Sequence, residues 1–341
     1  MLELIALLVF SCFLILKGSE WITDASSGVA SKLNTTNVAV GLLLVSFLLS
    51  LPELVIAISA ISKGQSDISL GVAIGSVIVN LGLIIGVAAI IKPITVPRAM
   101  ISRDAIFMLV ATIVVSLIAL EDGTITARDG AIFLLLFIPY IFNVYEQERL
   151  LKKKERHATI GRLTKTLKLF GKLGNFGDKF VIKNIWAIFL LGIAALLLGA
   201  EILTGVLISL SSSLNLPQLL VALTIGALGP SIPNLAVALQ SLSKGKEYEN
   251  LAVSETIGSN IFTLLITVGV IAMLAPITLD KFTIAITAPA LILISFIFFL
   301  LAVRGKIGKL GGLLLLSSYI LVIILEFAAR SGYLNNLLFF S

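Results

Sequence analysis

Charge is what this chain of 341 residues has least of. Only 13% of its residues are Asp, Glu, Lys or Arg and 58% are hydrophobic, whereas soluble globular proteins carry about 25% charged residues. That shortage excludes a soluble enzyme, and the apolar excess excludes a disordered chain. Cysteine is nearly absent too. The lone Cys12 cannot form an intrachain disulfide, so a disulfide scaffold is excluded; within its apolar run it reads as packing. The one histidine, His157, falls in the most basic stretch of the chain. No Ser–His dyad can therefore form among the apolar segments, and no pair of aspartates sits there to replace it, which argues against intramembrane hydrolysis. The net charge of +6 is modest and broken up by apolar runs, so nucleic acid is not an expected partner.

Long apolar runs are what the sequence has in abundance. They fall near 2–22, 36–62, 68–92, 103–120 and 130–147, and again near 185–212, 217–242, 250–275, 281–303 and 308–328. A helical span needs roughly 20 such residues. Barrel strands would alternate in polarity, and these runs do not. The expectation is an all-α polytopic membrane protein of ten transmembrane helices. The first run lacks a basic leader and a small-residue cleavage site, so it reads as a retained span.

The stretch Glu146 to Lys183 holds eleven basic residues against four acidic ones, a surplus of seven. The positive-inside rule places it in the cytoplasm of a cell-membrane protein. Five spans precede it, so both termini are expected outside. Lys92, Arg98 and Arg103 would lie inside with Arg304, Lys306 and Lys309, and Glu121 and Asp122 outside. The division is a first five-helix repeat at 1–147, a basic loop at 148–184 serving as topology anchor and headgroup contact, and a second repeat at 185–341. At about 38 residues the hydrophilic stretch is too short for an independent calcium-sensing domain.

The two halves repeat one another. At an offset of 181, Gly18 and Glu20 match Gly199 and Glu201, Leu33-Asn34 matches Leu214-Asn215, Pro52 matches Pro233, and Lys63-Gly64 matches Lys244-Gly245. After a two-residue insertion, Gly75-Ser76 matches Gly258-Ser259, Gly86 matches Gly269, and Pro93-Ile94-Thr95 matches Pro276-Ile277-Thr278. Five spans is an odd number, so the repeats are expected to be inverted. That architecture marks secondary transporters with a binding site at the repeat interface. It disfavours a channel.

Polar residues gather in the repeated segments. In VSFLLSLPELVIA, Ser46, Ser50 and Glu53 share one helical face. Pro52 withholds a backbone hydrogen bond and frees carbonyls near Leu48 and Leu49. In ALTIGALGPSIPNLAVA, Ala227, Ser231 and Asn234 take the same face, and Pro230 and Pro233 free carbonyls near Gly226 and Gly229. Ser76 and Asn80 lie one turn apart, as do Ser259 and Thr263, and Glu255 stands one turn before Ser259. Hydroxyls, loose carbonyls and a carboxylate make an oxygen-rich site for a hard cation. Serines and glycines alone would read as packing, but an ionisable group within a span is a functional candidate. Glu255 can face either this site or the cytoplasmic mouth. Glu20, Asp24 and Glu201 read as interfacial anchors near span ends.

These segments resemble the alpha-repeats of the cation/calcium exchanger superfamily, which read G-T-S-L-P-E followed by G-N-x-x-G-S-N. Here they stand as LLSLPE (48–53) with GVAIGSVIVN (71–80), and GPSIPN (229–234) with SETIGSNIFT (254–263). The resemblance implies alternating access, with spans 1 and 6 sliding across a core of eight helices and cations held among spans 2, 3, 7 and 8. It carries over Glu53, Ser50, Ser76, Asn80, Ser231 and Ser259. The departures are Leu49 and Pro230 at the motif threonines, Asn234 at a glutamate position, Thr263 where an aspartate is frequent, and Val72 and Glu255 at the G-N asparagines.

The candidate cation site is thus Ser46, Leu49, Ser50, Glu53, Ser76, Asn80, Ala227, Pro230, Ser231, Asn234, Glu255, Ser259 and Thr263. The expected cargo is Na+ and Ca2+, or H+. No covalent cofactor is expected, and no partner beyond inorganic cations and the lipid bilayer. With Glu53 alone, a dehydrated divalent ion would keep about one uncompensated charge, at a cost of several kcal/mol. Three readings stay open: an antiporter of the sodium/calcium type, a sodium- or proton-coupled exchanger of another cation that handles calcium poorly, and a non-transporting ion-binding homologue.

Overall fold

The computed structural model describes residues 2–32, 38–150, 185–243 and 246–330, with some side chains inside these ranges left undescribed. Among the described residues ten helices follow one another: α1 (Leu2–Lys32), α2 (Val38–Ser62), α3 (Ser66–Ile91), α4 (98–122), α5 (Ala127–Leu150), α6 (Ile185–Leu214), α7 (218–243), α8 (246–274), α9 (Thr283–Val303) and α10 (Lys309–Arg330). Eight of them contain a stretch long and apolar enough to cross a membrane; α2 and α7 add shorter described apolar stretches, Ser50–Ser62 and Gln218–Ile232. Their outer faces carry exposed Phe13, Leu135, Leu197 and Leu300, a perimeter suited to lipid rather than water. The chemistry is that of the apolar runs: with no water to satisfy the backbone, each segment must close its own hydrogen bonds.

Four two-residue strands sit between helices and prove the inversion. They are β1 (Ile94–Thr95), β2 (Thr124–Ile125), β3 (Ile277–Thr278) and β4 (Lys306–Ile307). β1 pairs antiparallel with β4, Ile94 opposite Ile307, and β2 with β3, Ile125 opposite Ile277. Helix α4 separates β1 from β2, placing them at opposite ends of the molecule. β3, the repeat of β1, pairs with β2. Repeat-related strands therefore lie at opposite ends, as inverted repeats require. The β1–β4 ladder also gathers Arg98, Arg304, Lys306 and Lys309 at one end.

Two apolar cores form. The larger joins the buried faces of α2–α5 and α7–α10 through residues such as Val77, Leu81, Phe133, Ile261, Leu265 and Phe298. The second lies between the α1/α6 pair and α2, α3 and α7, built from Ile15, Ile22, Ile56, Val72, Leu203 and Leu207. α1 and α6 run against each other at backbone contact. A Cβ added at Gly18 would stand 2.7 Å from the Gly192 carbonyl oxygen and 2.7 Å from the Leu196 nitrogen, so only glycine permits this approach.

The prolines sit within continuous helices: α2 runs through Pro52 and α7 through Pro230 and Pro233. α7 absorbs its prolines with a π-helical turn, Ala222–Gly226, directly upstream, a recognised way to accommodate a perturbed hydrogen-bond ladder. One local reading is corrected: Glu201 is not near a span end, because the apolar stretch of α6 continues to Leu214, whereas Glu20 does stand near the end of the apolar stretch Leu2–Ile22. The side chain of Asp24 and most of the basic loop, 151–184, lie outside the described residues.

Candidate cation site

The site forms where α2, α3, α7 and α8 meet. α3 crosses α7 at Gly75, where an added Cβ would lie 2.8 Å from the Ala227 Cβ and from the Leu223 Cα. That close crossing presents Ser76 and Asn80 of α3 beside Ser231 and Asn234 of α7. π-helical turns at Val79–Ile84 in α3 and Thr263–Thr267 in α8 re-aim their side chains at repeat-related places.

Every described polar residue expected in the site is buried. Ser50, Glu53, Ser76, Asn80, Asn234, Ser259 and Thr263 are fully inaccessible, and Ser231 and Glu255 nearly so. Ala227 and Pro230 are buried beside them. The side chains of Ser46 and Leu49 lie outside the described residues. Ser50 Oγ and Ser259 Oγ share a hydrogen bond of 2.7 Å, joining α2 to α8. Asn234 Nδ2 donates to Asn80 Oδ1 and to Ser259 Oγ, both at 3.3 Å, joining α7 to α3 and α8.

Several oxygens find no protein partner. They include both carboxylate oxygens of Glu53, both of Glu255, Asn234 Oδ1, and the hydroxyls of Ser76, Ser231 and Thr263. An unpaired buried polar atom costs about 1–3 kcal/mol and a charged one more, so this concentration marks a place built for something else to bind. Glu255 is buried rather than open to a solvated mouth. Among the described residues no three of His, Cys, Asp or Glu gather; the unpartnered groups here are two carboxylates and several neutral oxygens. Such hard oxygen donors fit alkali and alkaline-earth cations.

Sequence reasoning passed over Asn260. It is fully buried on α8, accepts from Asn80 Nδ2 at 2.9 Å, and donates to Met108 Sδ of α4 at 3.8 Å. Its signal was present: an amide directly after Ser259 in an apolar helix.

A family model described as sodium/calcium exchanger protein matches residues 3–145 and 184–328. The chain is 30% identical over 327 residues to the putative antiporter CaxA of Alkalimonas amylolytica, covering 93% of this chain and 96% of that protein. It is 28% identical over 324 residues to the inner membrane protein YrbG of Escherichia coli, covering 94% and 95%. It is 27% identical over 344 residues to the sodium/calcium exchanger MaX1 of Methanosarcina acetivorans, covering 94% and 97%. Solved structures of the sodium-calcium exchanger NCX_Mj share the fold. One soaked with 2.5 mM Na+ and 10 mM Sr2+ aligns with a TM-score of 0.64 at 23% identity, covering 95% of this chain and 98% of that one.

Proposed function

Because the chain belongs to the sodium/calcium exchanger family, we propose that it is a secondary active antiporter that exchanges Ca2+ for Na+ by alternating access, with Glu53 and Glu255 as its two charged ligands. The observation that carries this reading is the pair of buried carboxylates whose four oxygens have no protein partner. Two negative charges compensate one Ca2+ or two Na+, so either cargo leaves the site neutral, and an empty site is costly. Ser50, Ser76, Asn80, Ser231, Asn234, Ser259 and Thr263 supply neutral oxygens. Leu49, Ala227 and Pro230 add backbone carbonyls in this reading, and Ser46 precedes Ser50 by one turn of α2.

The moving part in this reading is the α1/α6 pair. It owns a separate apolar core against α2, α3 and α7, and a greasy contact can slide without breaking buried hydrogen bonds. Inverted repeats support such motion of one unit across another around a site near mid-membrane. The basic β1–β4 end faces the cytoplasm of a cell membrane, by the positive-inside rule. Labelling of Lys309→Cys by an impermeant thiol reagent added outside would reverse that orientation.

The test is reconstitution into liposomes. An outward Na+ gradient is expected to drive Ca2+ uptake, and Glu53→Gln is expected to abolish it. Uptake that survives this substitution removes Glu53 from the mechanism. Na+ or H+ flux without Ca2+ would make the chain an exchanger of another cation, which its neutral Asn234 and Thr263 favour. Stoichiometric binding without flux would make it an ion-binding homologue.

A further inference from the structure

We propose that Asn260 is a positioning residue that sets the polarity of a chain of amides, so that carbonyl oxygens rather than NH2 groups face the bound cation. The inference rests on the ion-site reading above and concerns which atoms that site presents. The chain starts on α4 at Met108 Sδ, which accepts from Asn260 Nδ2 at 3.8 Å. Asn260 Oδ1 accepts from Asn80 Nδ2 at 2.9 Å. Asn80 Oδ1 accepts from Asn234 Nδ2 at 3.3 Å, and the same nitrogen donates to Ser259 Oγ at 3.3 Å. The chain ends at Asn234 Oδ1, which is buried and without a protein partner.

A side-chain amide donates only at nitrogen and accepts only at oxygen. In a sealed interior its direction propagates, because reversing one amide sets donor against donor at the next. The direction must therefore be set by a group that can do one thing only. A thioether has no hydrogen to give and accepts weakly. Met108 thus holds the Asn260 NH2 toward sulfur and its oxygen toward Asn80. Asn80 then has to donate, and its own oxygen keeps a second lone pair free. Both amide hydrogens of Asn234 are taken, by Asn80 and Ser259, which leaves its oxygen for the cation. The opposite direction would aim NH2 groups at a positive charge. A glutamate at 234 would need no such control, since both carboxylate oxygens accept; an asparagine there creates the need, and Asn260 meets it.

The experiment titrates purified full-length protein with Ca2+ and, separately, Na+ by calorimetry, and measures KM and kcat for exchange in liposomes. Asn260→Leu keeps the volume and removes the acceptor; binding is expected to weaken about tenfold, with KM rising more than kcat falls. Asn260→Asp still accepts from Asn80 and is expected to bind at least as well as the wild type. In an Asn80→Ala background, Asn260→Leu is expected to add nothing, because no amide remains to orient. Should the leucine variant fail to fold, Asn260→Ala, which only removes atoms, replaces it. Wild-type binding left unchanged by Asn260→Leu, or an Asp variant as impaired as the Leu one, overturns the proposal alone. A wild-type protein that binds neither ion overturns the ion-site reading and this inference with it.

Discussion

Glu53 and Asn234 occupy repeat-related positions but use hydrogen bonds in opposite ways. Asn234 donates two, to Asn80 and Ser259, which no carboxylate could do. In the proposed reading the second negative charge comes from α8 instead, through the buried Glu255. This relocation predicts a selectivity split. Glu255→Gln keeps size and removes one charge, leaving a divalent ion with an unpaired buried charge at a cost of about 3 kcal/mol or more. Ca2+ affinity is expected to fall about a hundredfold, and Na+ affinity much less, as read by calorimetry of the two ions. Equal losses for both would show that Glu255 acts through the fold rather than on the cation. Most of the buried polar cluster was legible in sequence, because Ser50, Glu53, Ser76, Asn80 and Ser259 are polar residues in apolar runs and sit in a doubled register. The burial of Glu255 was not, because it depends on how α8 packs against α2. Asn260 was passed over because adjacent Ser259 and Asn260 lie on different faces of α8, and both faces turn out to be lined by polar partners from other helices.

At the scale of elements, the ten helices could be read from hydropathy alone, since a membrane leaves an apolar run few other structures. Their π-helical turns could not. One extra residue in a turn leaves no trace in composition, yet the turns fall at or beside Asn80 and Thr263. Another pair of π turns opens α4 and α9, at Ile101–Ala105 and Thr283–Thr287. Each holds a repeat-related side chain, Asp104 or Thr287, bound near a carboxylate–arginine pair. Asp104 itself takes a bidentate contact from Arg103, with both bonds at 2.7 Å. Thr287 donates to Glu326 of α10, which Arg330 meets at 2.7 Å. Arg330 also reaches Asp280 and Thr283, so one buried guanidinium ties the end of α10 to the start of α9. Arg330→Met would leave Glu326, fully inaccessible, with an uncompensated charge. The expected loss is about 3–5 kcal/mol, seen as a lower Tm of the detergent-solubilised protein. An unchanged Tm would mean that the hydrogen bond from Thr287 holds Glu326 without help from the guanidinium.

On the scale of the whole molecule, an exposed ionic contact ties α6 to the end of α2. Glu201 of α6 accepts from Ser59 of α2 at 2.8 Å and pairs at 2.7 Å with Lys63 in the turn that follows α2, and Lys63 also reaches the Glu201 carbonyl oxygen at 3.4 Å. An open groove lined by Val55, Ile58, Leu197 and Leu198 runs beside it. If α6 slides with α1 during transport, this contact belongs to one arrangement of the pair and not the other, so it biases the equilibrium by its own strength. That strength is modest, because both side chains are partly exposed, and exposed ion pairs contribute about 0.2–1 kcal/mol. A bias of this size shifts a two-state population by about 1.4- to 5-fold. Lys63→Met is therefore expected to raise the share of the alternative arrangement by that factor without touching the cation site. Spin labels at Leu197→Cys on α6 and Ile91→Cys on α3, in a Cys12→Ser background, would report it as growth of a second distance. A distribution unaltered by Lys63→Met, in protein that still exchanges cations, would mean that the α2–α6 bridge travels with the sliding pair, and that α2 moves rather than standing in the core.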